Sequence, residues 1–276
     1  MANYTAADIK KLRELTAAGM LDVKKALDEA DGDMTKAQEI LRVKGLKGVT
    51  KREGRTTSNG LVAAQAVDGV GTLVEVLCET DFVAKGERFR NLAQQVLDTA
   101  VESGATDAET LIATKTADGK VVQELLDEAN ATIGEKIVIQ RVARLEGPSV
   151  VTYLHRTNPD LPPQIGVLVA TDGGDEATAR DIAMHVAAFS PTVLAREDVP
   201  EETVANERRI AEATAREEGK PEAALPRIIE GRVNGYFKDN VLLEQAYAKD
   251  QKKSVAKVAE EAGLTVLGFA RFRVGA

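Results

Sequence analysis

A chain of 276 residues, 43% of them hydrophobic, is long enough for one large domain or two or three compact units with real cores. A formal net charge of −8 argues against a protein whose main task is coating nucleic acid, because phosphate binding needs a concentrated positive field. The single cysteine, Cys78, excludes an internal disulfide and a cysteine-based metal cluster, and neither a signal-peptide core nor an apolar run of the ~20 residues that span a bilayer occurs. A cytoplasmic, soluble protein is expected.

Residues 1–45 read as three short helices. Thr5 with Asp8 three residues later is a helix start, and Ile9, Leu12 and Leu15 then recur at helical spacing until Gly19 interrupts. A second helix carries Val23, Ala26 and Leu27 on one side. Asp31-Gly32 makes a turn, and a third helix carries Ala37, Ile40 and Leu41 before Gly45 stops it. From 46 to 60 the apolar pattern fades into Gly, Thr, Ser and the cations Lys47, Lys51, Arg52 and Arg55, so this stretch is expected to be a linker. It is either a contact for RNA or an acidic surface, or a solvated tether; the lack of interleaved aromatics favours the tether.

The remainder contains an internal echo. Thr72 to Asp81 alternates like a strand, with Val74, Val76 and Cys78 on one face, and a helix bearing Phe89, Leu92, Ala93, Val96, Leu97 and Ala100 follows. Gln164 to Asp172 repeats the strand with its Thr-Asp exit, and Ala179, Ile182, Ala183 and Val186 repeat the helix. Ile137 to Leu145 and Thr265 to Val274 supply one further strand to each half. The fold class is therefore α+β: an N-terminal three-helix unit, then a duplicated core of two small antiparallel sheets with packed helices, its halves at 61–140 and 141–276. In this alignment Phe82 of the first copy faces Gly173 of the second. Inserted into the second half, at about 197–239, is a charged helical stretch broken at Glu218-Gly219-Lys220-Pro221, which reads as an antiparallel hairpin. Its seam is expected from Val204, Ile210, Ala213, Leu225, Ile228, Ile229 and Val233, and it is either a self-packed protrusion or a docking arm.

Enzyme chemistry finds no foothold. No Gly-x-x-x-x-Gly-Lys-Ser/Thr phosphate loop occurs, so no direct nucleotide binding through that motif is expected. Cys78 shares a strand face with two valines, where a thiol is an inert buried group, and His185 lies within an apolar helix stripe. His155 precedes a polar, Pro-containing loop and suits a surface role. Phe82, beside Asp81 at a strand exit, either inserts into a partner's groove or folds back to cap its own sheet.

Several separate motifs lie in order along essentially the whole chain: Leu12-Arg-Glu-Leu-Thr-Ala-Ala-Gly-Met-Leu-Asp-Val-Lys-Lys-Ala-Leu27, Glu75 to Lys85 around Thr80-Asp-Phe-Val83, Gly134-Glu-Lys-Ile137, Ile182 to Ala188, Glu230-Gly-Arg232, Leu242-Leu-Glu-Gln245 and Arg271-Phe-Arg-Val-Gly275. Together they resemble bacterial elongation factor Ts, the family of nucleotide-exchange factors for the GTPase elongation factor Tu. The resemblance implies a ubiquitin-associated-like bundle touching the GTPase's nucleotide domain through Arg13, Met20 and Lys24. It implies that Thr80, Asp81, Phe82 and Val83 form a loop pushed between helices of that domain, that Ile133 and His155 are neighbouring contacts, and that the second core half holds the partner's distal domain. The implied function is exchange without covalent chemistry or cofactor: disruption of the GTPase's Mg²⁺/GDP site, so that GDP leaves and GTP enters. A non-exchanging protein- or RNA-binding module is the alternative; neither membrane nor nucleic-acid contact is expected. Leu77 stands where the family often has Asn, which bears on any polar interaction made there but not on the loop itself. The chain ends at Ala276 soon after the Arg-Phe-x-Val-Gly strand, so the extra C-terminal helical module of some members is not expected.

Overall fold

Three helices open the chain, whose computed structural model describes residues 3–16, 18–52 and 54–275. Helix α1 (Ala6–Thr16) begins where Thr5 and Asp8 exchange hydrogen bonds: the Thr5 N–H donates to Asp8 Oδ2 at 2.8 Å and the Asp8 N–H to Thr5 Oγ1 at 3.3 Å. Helices α2 (Met20–Glu29) and α3 (Met34–Arg52) complete the unit around Leu12, Val23, Ala26, Leu27, Ala37 and Leu41.

The first half of the core then forms β1 (Asn59–Val67), β2 (Val70–Cys78), α4 (Asp81–Lys85), α5 (Glu87–Ser103), α6 (Ala108–Ile112), α7 (Val122–Ile133) and β3 (Val138–Glu146). The antiparallel sheet has the order β1-β2-β3, and the apolar stripe of α5 covers one face, with Phe89, Val96 and Ala100 fully buried against Val74, Val76 and Cys78. Strand β1 was not anticipated. Its Ala-rich sequence has weak strand preference, and it forms because all nine residues pair with β2.

Two expectations for the bundle are corrected by its contact with α7. Gly45 does not stop α3, which runs through 46–52 where a linker was expected. A Cβ on Gly45 would lie 2.7 Å from the Ala131 Cβ, so here glycine allows two helices to approach, an advantage that offsets its cost of about 1 kcal/mol in a helix interior. Leu15 is 59% exposed rather than buried in the bundle; it faces the cleft between bundle and α7. The basic stretch is also partly occupied: Arg52 Nη1 donates to the Asn130 carbonyl at 3.0 Å and Arg55 Nη1 to Glu79 Oε1 at 3.1 Å. The side chains of Lys47 and Lys51 lie outside the described residues.

The second half contains β4 (Ser149–His155), β5 (Ile165–Gly173), α8 (Glu176–Phe189), α9 (Glu201–Glu217), α10 (Leu225–Asn240), β6 (Ala246–Tyr247), β7 (Asp250–Ser254), α11 (Val255–Glu261) and β8 (Leu264–Arg273). Its main sheet has the order β4-β5-β8. The two sheets match in register detail: β2 shifts against β3 between Glu75 and Val76, and β5 against β8 between Ala170 and Thr171. Counting from those bulges pairs Gly71 with Gly166, Ala84 with Ala179, and Thr80 with Asp175.

This register corrects the sequence echo. Thr171-Asp172 lies within β5 and is not the equivalent of Thr80-Asp81; Asp175 is, and both Thr80 and Asp175 are helix caps. The counterpart of Phe82 is Ala177, not Gly173. Matching dipeptides misled because chemical likeness at a strand end carries no information about register. The first half instead differs in breaking its helix at Gly86, where the second continues unbroken as α8.

The sheets pack face to face through Val62, Leu73, Leu168 and Phe272. A Cβ on Gly71 would come within 2.5 Å of Val150 Cγ1, and one on Gly166 within 2.4 Å of Val62 Cγ1, the same glycine–valine contact with the halves exchanged. Helices α9 and α10 form the expected hairpin. Its seam contains Ala211, Ala215, Leu225, Val233 and Phe237, with Val204 and Ile229 partly buried, while Ile210 and Ala213 point outward because α9 continues the Val204 stripe through Ala211 and Ala215, at spacings of seven and four. The base is tied down by Arg196, which makes two 2.6 Å bonds to Glu244 and lies over the Phe237 ring at 4.1 Å.

Candidate partner-binding surface

Strand β2 delivers the chain to a tightly held corner. Two carboxylates from distant segments clasp it. Glu135, just beyond α7, accepts the Glu79 N–H at 3.2 Å, the Thr80 N–H at 3.0 Å and the Thr80 hydroxyl at 2.6 Å. Glu79 in return accepts the Lys136 N–H at 2.6 Å. Desolvation works against the Glu79 carboxylate, but this amide and the Arg55 guanidinium outweigh it and hold the group below the usual carboxylate range.

Thr80 then caps α4, its Oγ1 accepting the Val83 N–H at 3.3 Å. Val83 turns inward against the first-half core, and Ala84 is fully buried. Phe82 turns outward and is 83% exposed, so the ring does not cap its own sheet. Asp81 accepts a 2.9 Å bond from Lys85 one helical turn on; that hydrogen bond, then the ammonium charge, keeps its carboxyl below the ordinary value. The corner offers a projecting aromatic ring beside an ionised carboxylate, on backbone fixed from two sides.

The other expected contact residues lie on α7, on the bundle and at the end of β4. Ile133 is half-buried at the end of α7 and packs on the same core as Val83. Arg13 and Met20 are exposed and line a shallow depression of about 650 Å³ that also includes Arg88 of α5, whose Nη2 reaches the Glu14 carbonyl at 3.2 Å. Lys24 is exposed on α2 but outside that depression. His155 is exposed at the end of β4, its Nδ1 3.2 Å from the Tyr153 hydroxyl. A groove of about 460 Å³ lined by Lys85, Arg90, Leu154 and Arg156 runs between α4–α5 and that strand end. Leu77 is buried within β2.

The chemistry of these groups favours contact over catalysis. Burial, followed by the nearby Glu135 charge, pushes the Cys78 thiol up to about 12, far from a nucleophile's range. His185 is buried; it accepts the Ala248 N–H at Nδ1 and so carries its proton on Nε2, which meets Gln245 Oε1 at 2.8 Å. Among the described residues no group of His, Cys, Asp or Glu is arranged to hold a metal ion, and no helix is long and apolar enough to cross a membrane.

Residues 79–276 match the family model for elongation factor Ts. The chain belongs to the elongation factor Ts family. Full-length similarity extends to proteins named elongation factor Ts from Beutenbergia cavernae (64% identical), Kineococcus radiotolerans (63%) and Pseudarthrobacter chlorophenolicus (62%), each alignment covering all of both chains. The chain is thus similar throughout to elongation factors of protein synthesis.

For a member of this family, sequence reasoning missed the residues that hold the loop. Glu79, Glu135 and Arg55 were not singled out as site residues. Among 44 acidic side chains no carboxylate pair stands out, although Gly134-Glu135-Lys136-Ile137 was visible as a motif. A carboxylate directly after a helix-ending glycine, with an amide-rich corner elsewhere, was the available signal.

Proposed function

We propose that this chain is a guanine-nucleotide exchange factor acting on elongation factor Tu in the cytoplasm, with no covalent step of its own. The observation that carries this reading is the Phe82 ring, exposed on a backbone clasped by Glu79 and Glu135, within a family of translation elongation factors. A large apolar side chain held out in water has most to gain by entering a hydrophobic groove.

Mg²⁺ in a GTPase demands near-octahedral oxygen geometry, so displacing the helices that position its ligands weakens the metal and the GDP it bridges. Phe82 supplies the apolar insertion, Asp81 a carboxylate kept ionised by Lys85, and Thr80 and Val83 the fixed base of the wedge. Arg13, Met20 and Lys24 grip the same domain from the bundle, with Ile133 and His155 at the edges of the contact and the second half bracing the distal domain. Linkage then requires reciprocity: a factor that weakens GDP is itself weakened by GDP, binds the empty GTPase best, and leaves as GTP enters.

Stopped-flow release of fluorescent GDP from elongation factor Tu tests the proposal. Acceleration that rises with the concentration of this chain is expected. A complex that forms yet retains its GDP would instead make the chain a non-exchanging binding module.

A further inference from the structure

We propose that Gly45 and Ala131 form a size-matched contact that sets the position of the N-terminal bundle against the core, making Gly45 a positioning residue for nucleotide exchange. This rests on the reading above, in which the bundle and Phe82 touch one domain of the partner.

Helix α3 belongs to both sides of the boundary. Ala37 and Leu41 anchor it in the bundle, and its later turns lie on α7. At the crossing, a Cβ built on Gly45 would stand 2.7 Å from the Ala131 Cβ and 3.4 Å from its Cα. Carbon atoms rest about 3.5–4.0 Å apart, so even a methyl group would separate the helices by about an ångström. Because α3 is continuous through this point, such a separation moves the bundle as a lever, carrying Arg13 and Met20 away from their place relative to Phe82.

Among the described residues the other ties across the boundary, including Arg52 Nη1 to the Asn130 carbonyl at 3.0 Å, cannot set the distance. Arg42 Nη2 meets Glu128 Oε1 at 2.8 Å, while Lys120 holds the other oxygen at 2.7 Å, and Arg88 reaches the Glu14 carbonyl. These are long, partly exposed side chains that can follow a shift. Among the described residues Leu15 does not fill the gap, being largely exposed beside a cleft of about 350 Å³. Among these residues the close approach of Gly45 and Ala131 is the rigid contact at the crossing.

The test compares Gly45→Ala, Ala131→Gly and the double variant in the full chain. Spin labels on Lys36→Cys in α3 and Glu102→Cys in α5 report the bundle–core distance, since the native Cys78 is buried and escapes labelling. Stimulated GDP release from elongation factor Tu is measured alongside. In Gly45→Ala the label distance should shift or broaden and release should slow by about fivefold or more, the lower end of ordinary coupling between sites. Both should return toward the original in the double variant. If Gly45→Ala unfolds the bundle, seen as lost helical circular dichroism, recovery in the double variant still identifies a steric contact, because Ala131→Gly cannot repair a defect within α3. An unchanged distance in Gly45→Ala, or a change that Ala131→Gly fails to reverse, overturns the proposal. Absence of stimulation by the original chain would refute the exchange reading, and the label distances would still decide the contact.

Discussion

Replacing Phe82 by alanine separates partner coupling from folding. The ring is 83% exposed, so its removal should change the stability of the free chain by no more than about 0.5 kcal/mol. A Phe side chain carries roughly 150–250 Å². Burying four-fifths of that in a partner at about 25 cal/mol per Å² gives about 3–5 kcal/mol as a gross gain. Ordering the side chain costs about 0.5–1.5 kcal/mol, and the partner pays further to open its groove. On the order of 2 kcal/mol remains, or roughly a 25- to 30-fold loss of stimulated GDP release. The assay is stopped-flow release from elongation factor Tu at chain concentrations below saturation, with a thermal melt as the folding control. Full acceleration by a normally folded Phe82→Ala chain would remove the wedge from the mechanism.

The clasp and the core supply further tests. Glu135→Ala removes the acceptor for the Glu79 and Thr80 amides, which should exchange their hydrogens faster by NMR; stability should fall by about 1–2 kcal/mol and stimulated release should drop although Phe82 is intact. Unchanged amide protection would show that the corner holds itself. Burial lowers the His185 pKa below its ordinary 6.5, against a smaller opposing effect of the Gln245 hydrogen bond. The unfolded chain therefore binds a proton that the folded chain resists, so this contribution is present above pH about 6.5 and is lost as pH falls from there toward the lowered value. The fall of the melting temperature between about pH 7 and 5 should be shallower in His185→Gln, a window above the titration of the carboxylates; equal slopes would count against it. Gly71→Ala should cost about 1–3 kcal/mol in urea titrations by pressing on Val150, and Val150→Ala should restore part of that loss.

Much of the architecture was legible because its causes are local. The Thr5/Asp8 cap, the α5 stripe from Phe89 to Ala100 and the Gly219-Lys220-Pro221 break each act within a few residues. The strands β2, β3, β5 and β8 were found, while Ala-rich β1 was not, since pairing with β2 rather than its own composition makes it a strand; β4 was also missed, although its Val-Val-Thr-Tyr run has high strand preference. Phe82 and Asp81 stood out as residue types at a strand exit, yet the direction of the ring depended on Val83 and Ala84 turning inward. Glu135 and Glu79 went unnoticed because each acts on backbone amides more than fifty residues away.

Sequence by itself therefore determined most of the elements, the duplicated plan, the family and the aromatic corner, all of which rest on composition and short-range spacing. Only the tertiary structure decided the register of the two halves, the inward and outward turns of the corner, and the meaning of Gly45. Those depend on which distant backbones meet and how closely. A glycine that reads locally as a helix stop becomes, opposite Ala131, the space that lets two helices touch.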